Sequence, residues 1–276
     1  MLDRQKIMPT VDDQGLAEHA ANELVKREIL RDKYALDKAK HEFIAISSHQ
    51  LRTPATSVKN YLGIILNGYG VTVPDAIRPL IQRAYDSNEK QLAILDSLLQ
   101  VAQIDSGLYL ADLADQNACD MVQATITECQ EMIDLRDQHV IYTAPDECRI
   151  ISDASKLRIA LRHLISNASK NTPNGGSLFI TLSQTDKYTK IKVRDTGPGF
   201  AKSETKRLFK KFTHFENQIS DTVNGNGLGL YIARKITKML DGKLTVISRA
   251  NQGAEFVLAF SNESKQRHGI NSIETS

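Results

Sequence analysis

Ser48-His49-Gln50-Leu51-Arg52-Thr53-Pro54 places an imidazole inside a strongly helical stretch. Leu51 belongs to an apolar stripe with Ile44, Ala55, Val58, Leu62 and Ile65, at spacings of three, four and seven. His49 precedes Leu51 by two residues, a rotation of about 200° on a helix. It therefore faces solvent when the stripe faces a partner. Thr53, four residues on, shares that exposed face. A solvent-facing ring nitrogen is a nucleophile. Pro54 has no N–H to offer the carbonyl of Gln50, which predicts a bend or a loosened turn just beyond His49. Taken alone, an exposed histidine is an ordinary surface residue.

Far along the chain, Asp195-Thr196-Gly197-Pro198-Gly199 and Gly225-Asn226-Gly227-Leu228-Gly229-Leu230 are punctuated by glycine. Asp195 ends an alternating run whose Ile191 and Val193 share its face. A carboxylate at the edge of a core needs donors there, and the amino group of a purine is one. Gly197 and Gly199 allow backbone to approach a planar base closely. The second set opens a helix, where backbone N–H groups and the positive end of the helix dipole hold phosphate oxygens. It follows a polar run rather than a strand, which argues against a dinucleotide-binding turn. On a helix near residues 155–170, Leu157, Leu161, Leu164, Ile165 and Ala168 form the buried side. His163, Asn167, Lys170 and Asn171 fall on another. The amide oxygen of Asn167 suits a hard cation such as Mg²⁺, and the Lys170 ammonium suits a phosphate. A nucleophilic imidazole and a nucleotide cradle in one chain fit transfer of a phosphoryl group to nitrogen.

These residues need elements to hold them. Residues 15–45 are rich in Ala, Glu, Lys and Leu and read as a long charged helix with only weak heptad character. The acceptor helix covers 43–66 and ends at Asn67-Gly68-Tyr69-Gly70. A second helix starts near Pro74-Asp75, with Asp75 as its cap. Its stripe is Ile77, Leu80, Ile81, Ala84, Asn88, Leu92, Leu95, Leu98, Leu99 and Ala102, and Ser106-Gly107 stops it. A two-helix hairpin alone leaves its stripe wet, so a second copy is expected to complete a four-helix bundle, making a homodimer. Beyond residue 113, strands at 139–144, 149–152, 177–183, 189–195, 243–248 and 254–260 alternate with helices at 119–134, 155–170 and 229–240. That order predicts an α+β sandwich, one sheet with helices on one face. The division is a lead-in over 1–40, a helical domain over 41–112, an α+β domain over 113–261 and a disordered tail over 262–276.

Composition closes off several classes. The chain has 276 residues, 41% hydrophobic and 25% charged, with a net charge of +2. No strong field favours nucleic acid or an anionic membrane. No apolar run approaches the roughly 20 residues that cross a bilayer, so no membrane segment is expected. The chain reads as cytoplasmic, or as the cytoplasmic portion of a longer receptor. Cys119, Cys129 and Cys148 match no metal-site spacing and read as buried or inert thiols.

The string around His49 closely resembles the phosphoacceptor box of two-component sensor histidine kinases, and the resemblance extends over residues 40–260. It implies a dimerisation and histidine-phosphotransfer hairpin followed by an ATP-binding domain of the Bergerat (GHKL) type. It implies ATP and Mg²⁺ as cofactors, autophosphorylation of His49, and onward transfer to an aspartate of a response-regulator receiver domain. Thr53 matches the position that orients water for dephosphorylating that partner. Asn167-Ala168-Ser169-Lys170 with Thr172-Pro173-Asn174-Gly175-Gly176 resembles the family's N box, with Asn167 on the metal. Asp195 reads the adenine amino group. Phe209 and Phe212 resemble the F box, residues 213–224 the lid, and Gly225, Gly227, Leu228, Gly229 and Leu230 the phosphate-side glycine box.

Five positions depart from the family pattern, one of them Ala254, where relatives often carry Thr. Gln50 stands where Glu or Asp usually takes a proton from the acceptor ring, and an amide is no base near neutral pH. Autophosphorylation is then slower than in relatives, or water or another group takes the proton. His163 replaces a second Asn and would ligate or support the metal site. Asn171 replaces an aromatic residue or His, weakening a nucleotide contact. His214 stands where Arg often reaches the phosphates. These departures motivate the alternative of a nucleotide-binding scaffold with weak or no kinase activity; the glycine boxes alone would also suit a GHKL-type ATPase. Transfer within a subunit or across the dimer depends on the loop over 67–73.

Overall fold

A computed structural model describes residues 13–68, 72–107, 109–213 and 226–262. Helix α1 (Asp13–Leu66) is a single 54-residue helix. The charged lead-in and the acceptor stretch are therefore one element, and the boundary expected at residue 40 falls inside it. Pro54 lies within α1 without ending it. On either side of it, the Thr53 hydroxyl donates to the carbonyl of His49 and the Ser57 hydroxyl to that of Thr53, both at 3.1 Å. These side-chain bonds supplement the ladder where the proline removes one donor.

Helix α2 (Arg78–Asp105) starts later than expected, and Asp75 does not cap it. Its N-cap is Ile77, which makes no side-chain bond. The carbonyl of Pro74 instead accepts from the N–H groups of Ile77 (2.9 Å) and Arg78 (3.2 Å). This backbone turn leads the chain into the helix, and Pro79 suits its first turn. Arg78 Nη1 donates to the carbonyl of Leu66 at 3.1 Å, tying the start of α2 to the end of α1. Two ion pairs cross the hairpin, Arg52 with Asp96 and Lys59 with Glu89. Their members are seven residues apart on both helices, so the antiparallel register holds without slip. Leu51, Val58, Ile77, Leu80 and Leu98 of the two stripes stay exposed in the single chain, while Ala55 and Asn88 are buried.

The α+β domain begins with β1 (Ala114–Asn117), which runs into α3 (Ala118–Asp134). Strands β2 (His139–Thr143) and β3 (Arg149–Ser152) follow, then α4 (Ala154–Asn171). Next come β4 (Ser177–Gln184), β5 (Tyr188–Asp195) and the short α5 (Lys202–Thr205). Helix α6 (Gly229–Met239), β6 (Gly242–Ser248) and β7 (Ala254–Ser261) complete it. Five strands form one sheet in the order β2-β4-β5-β7-β6, with β2 and β4 parallel and the other neighbours antiparallel. β1 and β3 form a separate antiparallel pair. Sequence reading missed β1 and α5. Each has four mainly polar residues and shows no periodicity; β1 exists because β3 is beside it.

Leu178, Ile180, Leu182, Ile191, Val193, Leu244, Phe256, Leu258 and Phe260 point from the sheet into one core with the inner faces of α3, α4 and α6. The register sets Leu178 beside Asp195, Ile180 beside Val193 and Leu182 beside Ile191. Asp195 thus continues the core-facing row to its edge, as a period of two requires. Val101 and Ile104, near the end of α2, belong to the same core cluster. The hairpin is therefore docked on the α+β domain through the last turns of α2.

Asp153 caps α4. Its carboxylate accepts from Lys156 N (3.1 Å), Lys156 Nζ (2.5 Å), Ser155 Oγ (2.6 Å) and Asp112 N (3.0 Å). Burial pushes its pKa up, but the Lys156 ammonium and the other donors outweigh this and hold it well below the usual carboxylate range. Cys129 and Cys148 are buried, Cys119 is half-buried, and none of the three forms a disulfide. Burial raises the pKa of Cys119 and Cys129, which keeps both protonated and unreactive. Residues 263–276 of the expected tail lie outside the described residues.

Candidate active site

Helix α4 lies between the two glycine-bearing turns. At its C-terminal end the backbone of Asn171 meets Gly197: a Cβ on Gly197 would stand 2.2 Å from the Asn171 carbonyl oxygen. Two turns earlier, His163 packs on the start of α6: a Cβ on Gly229 would stand 3.1 Å from His163 Nδ1. From His163 to Asn171 the helix rises about 12 Å. One face of α4 thus carries Asn167 between a turn suited to a base and a helix N-terminus suited to phosphates.

At the base end, Asp195 is 1% exposed. Its Oδ1 accepts from the N–H groups of Gly197 (2.9 Å) and Ala254 (3.1 Å). Its Oδ2 is buried and has no partner among the described residues. Burial raises its pKa, partly offset by those two N–H groups. A buried acceptor left unpaired costs about 1–3 kcal/mol, so the site is incomplete without a donor. Gly253 closes the same corner. Its φ is +74°, and a Cβ there would stand 2.1 Å from the Asp195 carbonyl oxygen. Gly199 also takes a positive φ, 64°.

Gly197→Ala is expected to lower the melting temperature and weaken nucleotide binding together. Its Cβ meets backbone, which must move, and overpacking of this kind costs about 1–3 kcal/mol. Thermal melts with and without ADP check both effects.

Asn167 Nδ2 is likewise buried and unpaired among the described residues. Its Oδ1 has only a long 3.4 Å contact with Asn171 Nδ2. As placed, the amide offers a donor to a phosphate oxygen; turned over, it offers an oxygen to a cation at the loss of that long contact. No cluster of three or more His, Cys, Asp or Glu among the described residues would cage a metal. One neutral amide fits Mg²⁺ that is bound chiefly through the nucleotide's phosphates. Asn171 turns its amide back to the carbonyl of Asn167 at 2.8 Å. Lys170 is half-buried, and burial with the nearby Arg136 lowers its pKa.

At the phosphate end, Leu228 is buried and is the N-cap of α6. Its N–H donates to Asn226 Oδ1 at 3.1 Å, a local bond that shapes the turn and that sequence reading did not anticipate. Gly227 takes a φ of 63°. Gly229 and Leu230 open the helix, where the first-turn N–H groups have no intrahelical partner. Burial, with Arg162 and Lys170 nearby, pushes the His163 pKa down to about 4, so its ring is neutral at pH 7. Its Nε2 lies 3.4 Å from Gln100 Oε1 of α2.

Of the two F-box aromatics, Phe209 packs, edge-on to Phe256 at 6.4 Å and beneath the Arg234 guanidinium. Phe212 is 61% exposed with a φ of 56°. His214, Gly225 and most of the stretch read as a lid lie outside the described residues.

His49 and Gln50 are exposed on α1, as is Leu51 of the stripe in the single chain. Carried three residues back from the Arg52–Asp96 pair, the hairpin register sets His49 across from Leu99. The next residue, Gln100, reaches His163 beside the phosphate end of the cradle. Acceptor and cradle therefore stand at one level of the molecule. Thr53 shares the exposed face of His49 and spends its hydroxyl proton on the His49 carbonyl.

A sheet backed by helices, with a buried carboxylate and a glycine-opened helix on either side of α4, defines an ATP-binding domain. Residues 152–264 match the family of histidine kinase-, DNA gyrase B- and HSP90-like ATPases. Residues 39–107 match the His kinase A phospho-acceptor domain. With both domains in this order, the chain belongs to the two-component sensor histidine kinases. It is similar to the circadian input-output histidine kinase CikA of Synechococcus elongatus, 30% identical over 81% of this chain and 30% of CikA. Sensor protein SrrB of Staphylococcus aureus is 27% identical over 83% of this chain and 39% of SrrB. The chain thus spans well under half the length of these curated relatives. The crystal structure of full-length ShkA in complex with AMPPNP shares the fold, with a TM-score of 0.66 and 23% identity over 80% of this chain and 46% of ShkA.

Proposed function

We propose that the chain binds Mg-ATP along α4, transfers the γ-phosphoryl group to a ring nitrogen of His49, and passes it to an aspartate of a response-regulator receiver domain. The unpaired, buried Asp195 Oδ2 carries this reading. It is an acceptor waiting for an exocyclic amine, at the right end of a cradle whose other end suits phosphates. In the transfer, the imidazole nitrogen bonds to the γ-phosphorus as the bond to the departing ADP oxygen breaks. Catalysis rests on placement and on neutralising charge. Mg²⁺, held by Asn167 and the phosphates, supplies part of that neutralisation. The first-turn N–H groups of α6 hold phosphate oxygens. A second copy of the chain covers the exposed stripe of the hairpin and completes a four-helix bundle. The test is incubation with γ-labelled ATP: label bound to protein that survives alkali and is lost in acid supports a phosphoramidate, and alkali-labile label counts against it.

Gln50 cannot take the ring proton released on transfer. Gln50→Glu is expected to raise the initial rate about tenfold, within the range general-base catalysis supplies. The gain should shrink as pH falls through the carboxylate range and the new base protonates. Initial rates at saturating ATP across a pH series check this; no gain at any pH rules out the assigned role.

A further inference from the structure

Two turns frame the buried carboxylate of the cradle. One runs from Asp195 to Phe200; the other runs from Ser248 to Ala254 and joins β6 to β7. Asp195 Oδ1 bonds to both, accepting from Gly197 N and Ala254 N. Ser248 also bonds to both. Its Oγ accepts from Phe200 N at 2.8 Å and donates to the Gly253 carbonyl at 2.8 Å. Ser248 ends the core-facing row of Leu244 and Val246 on β6, as Asp195 ends that of Ile191 and Val193 on β5. It pairs with Ala254, the residue whose N–H reaches Asp195. The two turns are pressed together. A Cβ on Gly199 would stand 2.3 Å from the Arg249 carbonyl oxygen, 2.6 Å from that of Gly253 and 2.9 Å from Ser248 Oγ. The Asn251 N–H donates to the Pro198 carbonyl at 2.5 Å.

Asp195 Oδ1 is held by the same two turns that Ser248 ties, so their spacing sets the direction of the unpaired Oδ2. A hydroxyl that accepts and donates at once can fix such a spacing; an apolar side chain gives up both bonds. We propose that Ser248 is a positioning residue for the base: it locks the two turns at the spacing that aims Asp195 Oδ2 at an exocyclic amine, and so sets the preference for adenine. The proposal rests on the ATP binding proposed above.

Ser248→Ala removes the hydroxyl and little else. In the full chain it is expected to weaken ADP about three- to tenfold by calorimetry, the scale of one or two hydrogen bonds. The initial autophosphorylation rate at saturating ATP should stay within about twofold, so the change is in KM rather than kcat. The ratio of ADP to IDP affinity should fall, because IDP carries a carbonyl where ADP carries the amine. In an Asp195→Asn background the second substitution should cost less than about twofold, since residues acting through one contact are not additive. Ile126→Val, a core trim in α3, is the stability control: it should lower the melting temperature and leave both affinities unchanged. A matching loss of affinity in that control overturns the proposal. So does an equal loss for ADP and IDP, or an equal loss with and without Asp195, because either makes Ser248 a purely structural bond. If the wild type binds no adenine nucleotide, the ATP reading fails and takes this proposal with it. Wild-type binding with an unmoved Ser248→Ala ends the proposal alone.

Discussion

His49→Gln is expected to abolish acid-labile labelling from γ-labelled ATP, a loss of at least about a hundredfold, as removal of a nucleophile gives. ADP affinity should stay within about twofold, because His49 lies on α1 and the cradle is built from α4, β5 and α6. The melting temperature should not change, since the side chain is exposed and exposed substitutions away from special features shift stability by about 0.5 kcal/mol or less. The combination matters. Loss of label together with loss of binding would point to a folding defect. Retained label would move the acceptor elsewhere and remove the central step of the proposed function.

Asp195→Asn should weaken ATP about ten- to a hundredfold, matching the 1–3 kcal/mol cost of a buried polar mismatch. The Oδ1 position already accepts two N–H groups, from Gly197 and Ala254. An asparagine must put its oxygen there, so its NH₂ faces the adenine amine and two donors collide. A purine with a carbonyl at that position would accept instead, so the ratio of ITP to ATP affinity should rise. Competition of ATP and ITP against a fluorescent ADP analogue measures both quantities. An ATP affinity unchanged in the variant would separate Asp195 from the base.

The same substitution makes a control for stability. The raised pKa of Asp195 means that its ionised form opposes folding above the raised value. That penalty fades as pH falls through the raised value towards the ordinary carboxylate range. The nucleotide-free variant should therefore melt no lower than wild type at pH 7, with the gap closing towards acid. A loss of affinity could then not be laid to unfolding.

Much of the site is local and so was legible in residue order. The rotation of His49 away from the stripe of Leu51, Ala55 and Val58 is a matter of helical period alone. Asp195 faces the core edge because strands alternate and Ile191 and Val193 precede it. Asp75 misled because an acidic residue before a helix resembles a cap, while here the Pro74 carbonyl took that part. Phe209 and Phe212 both resemble the F box, yet one packs on Phe256 and the other is exposed.

The sequence by itself determined the helical phase of His49, the core-edge place of Asp195, the glycine turns and the order of the longer helices and strands, because each follows from short-range periodicity and backbone freedom. Only the tertiary structure decided what these parts touch. Gly253 against Asp195, His163 between Gln100 and Gly229, and Asp105 among Lys211, Tyr231 and Lys235 join residues from 58 to 130 positions apart. Such contacts depend on how one core packs, and no spacing along the chain encodes them.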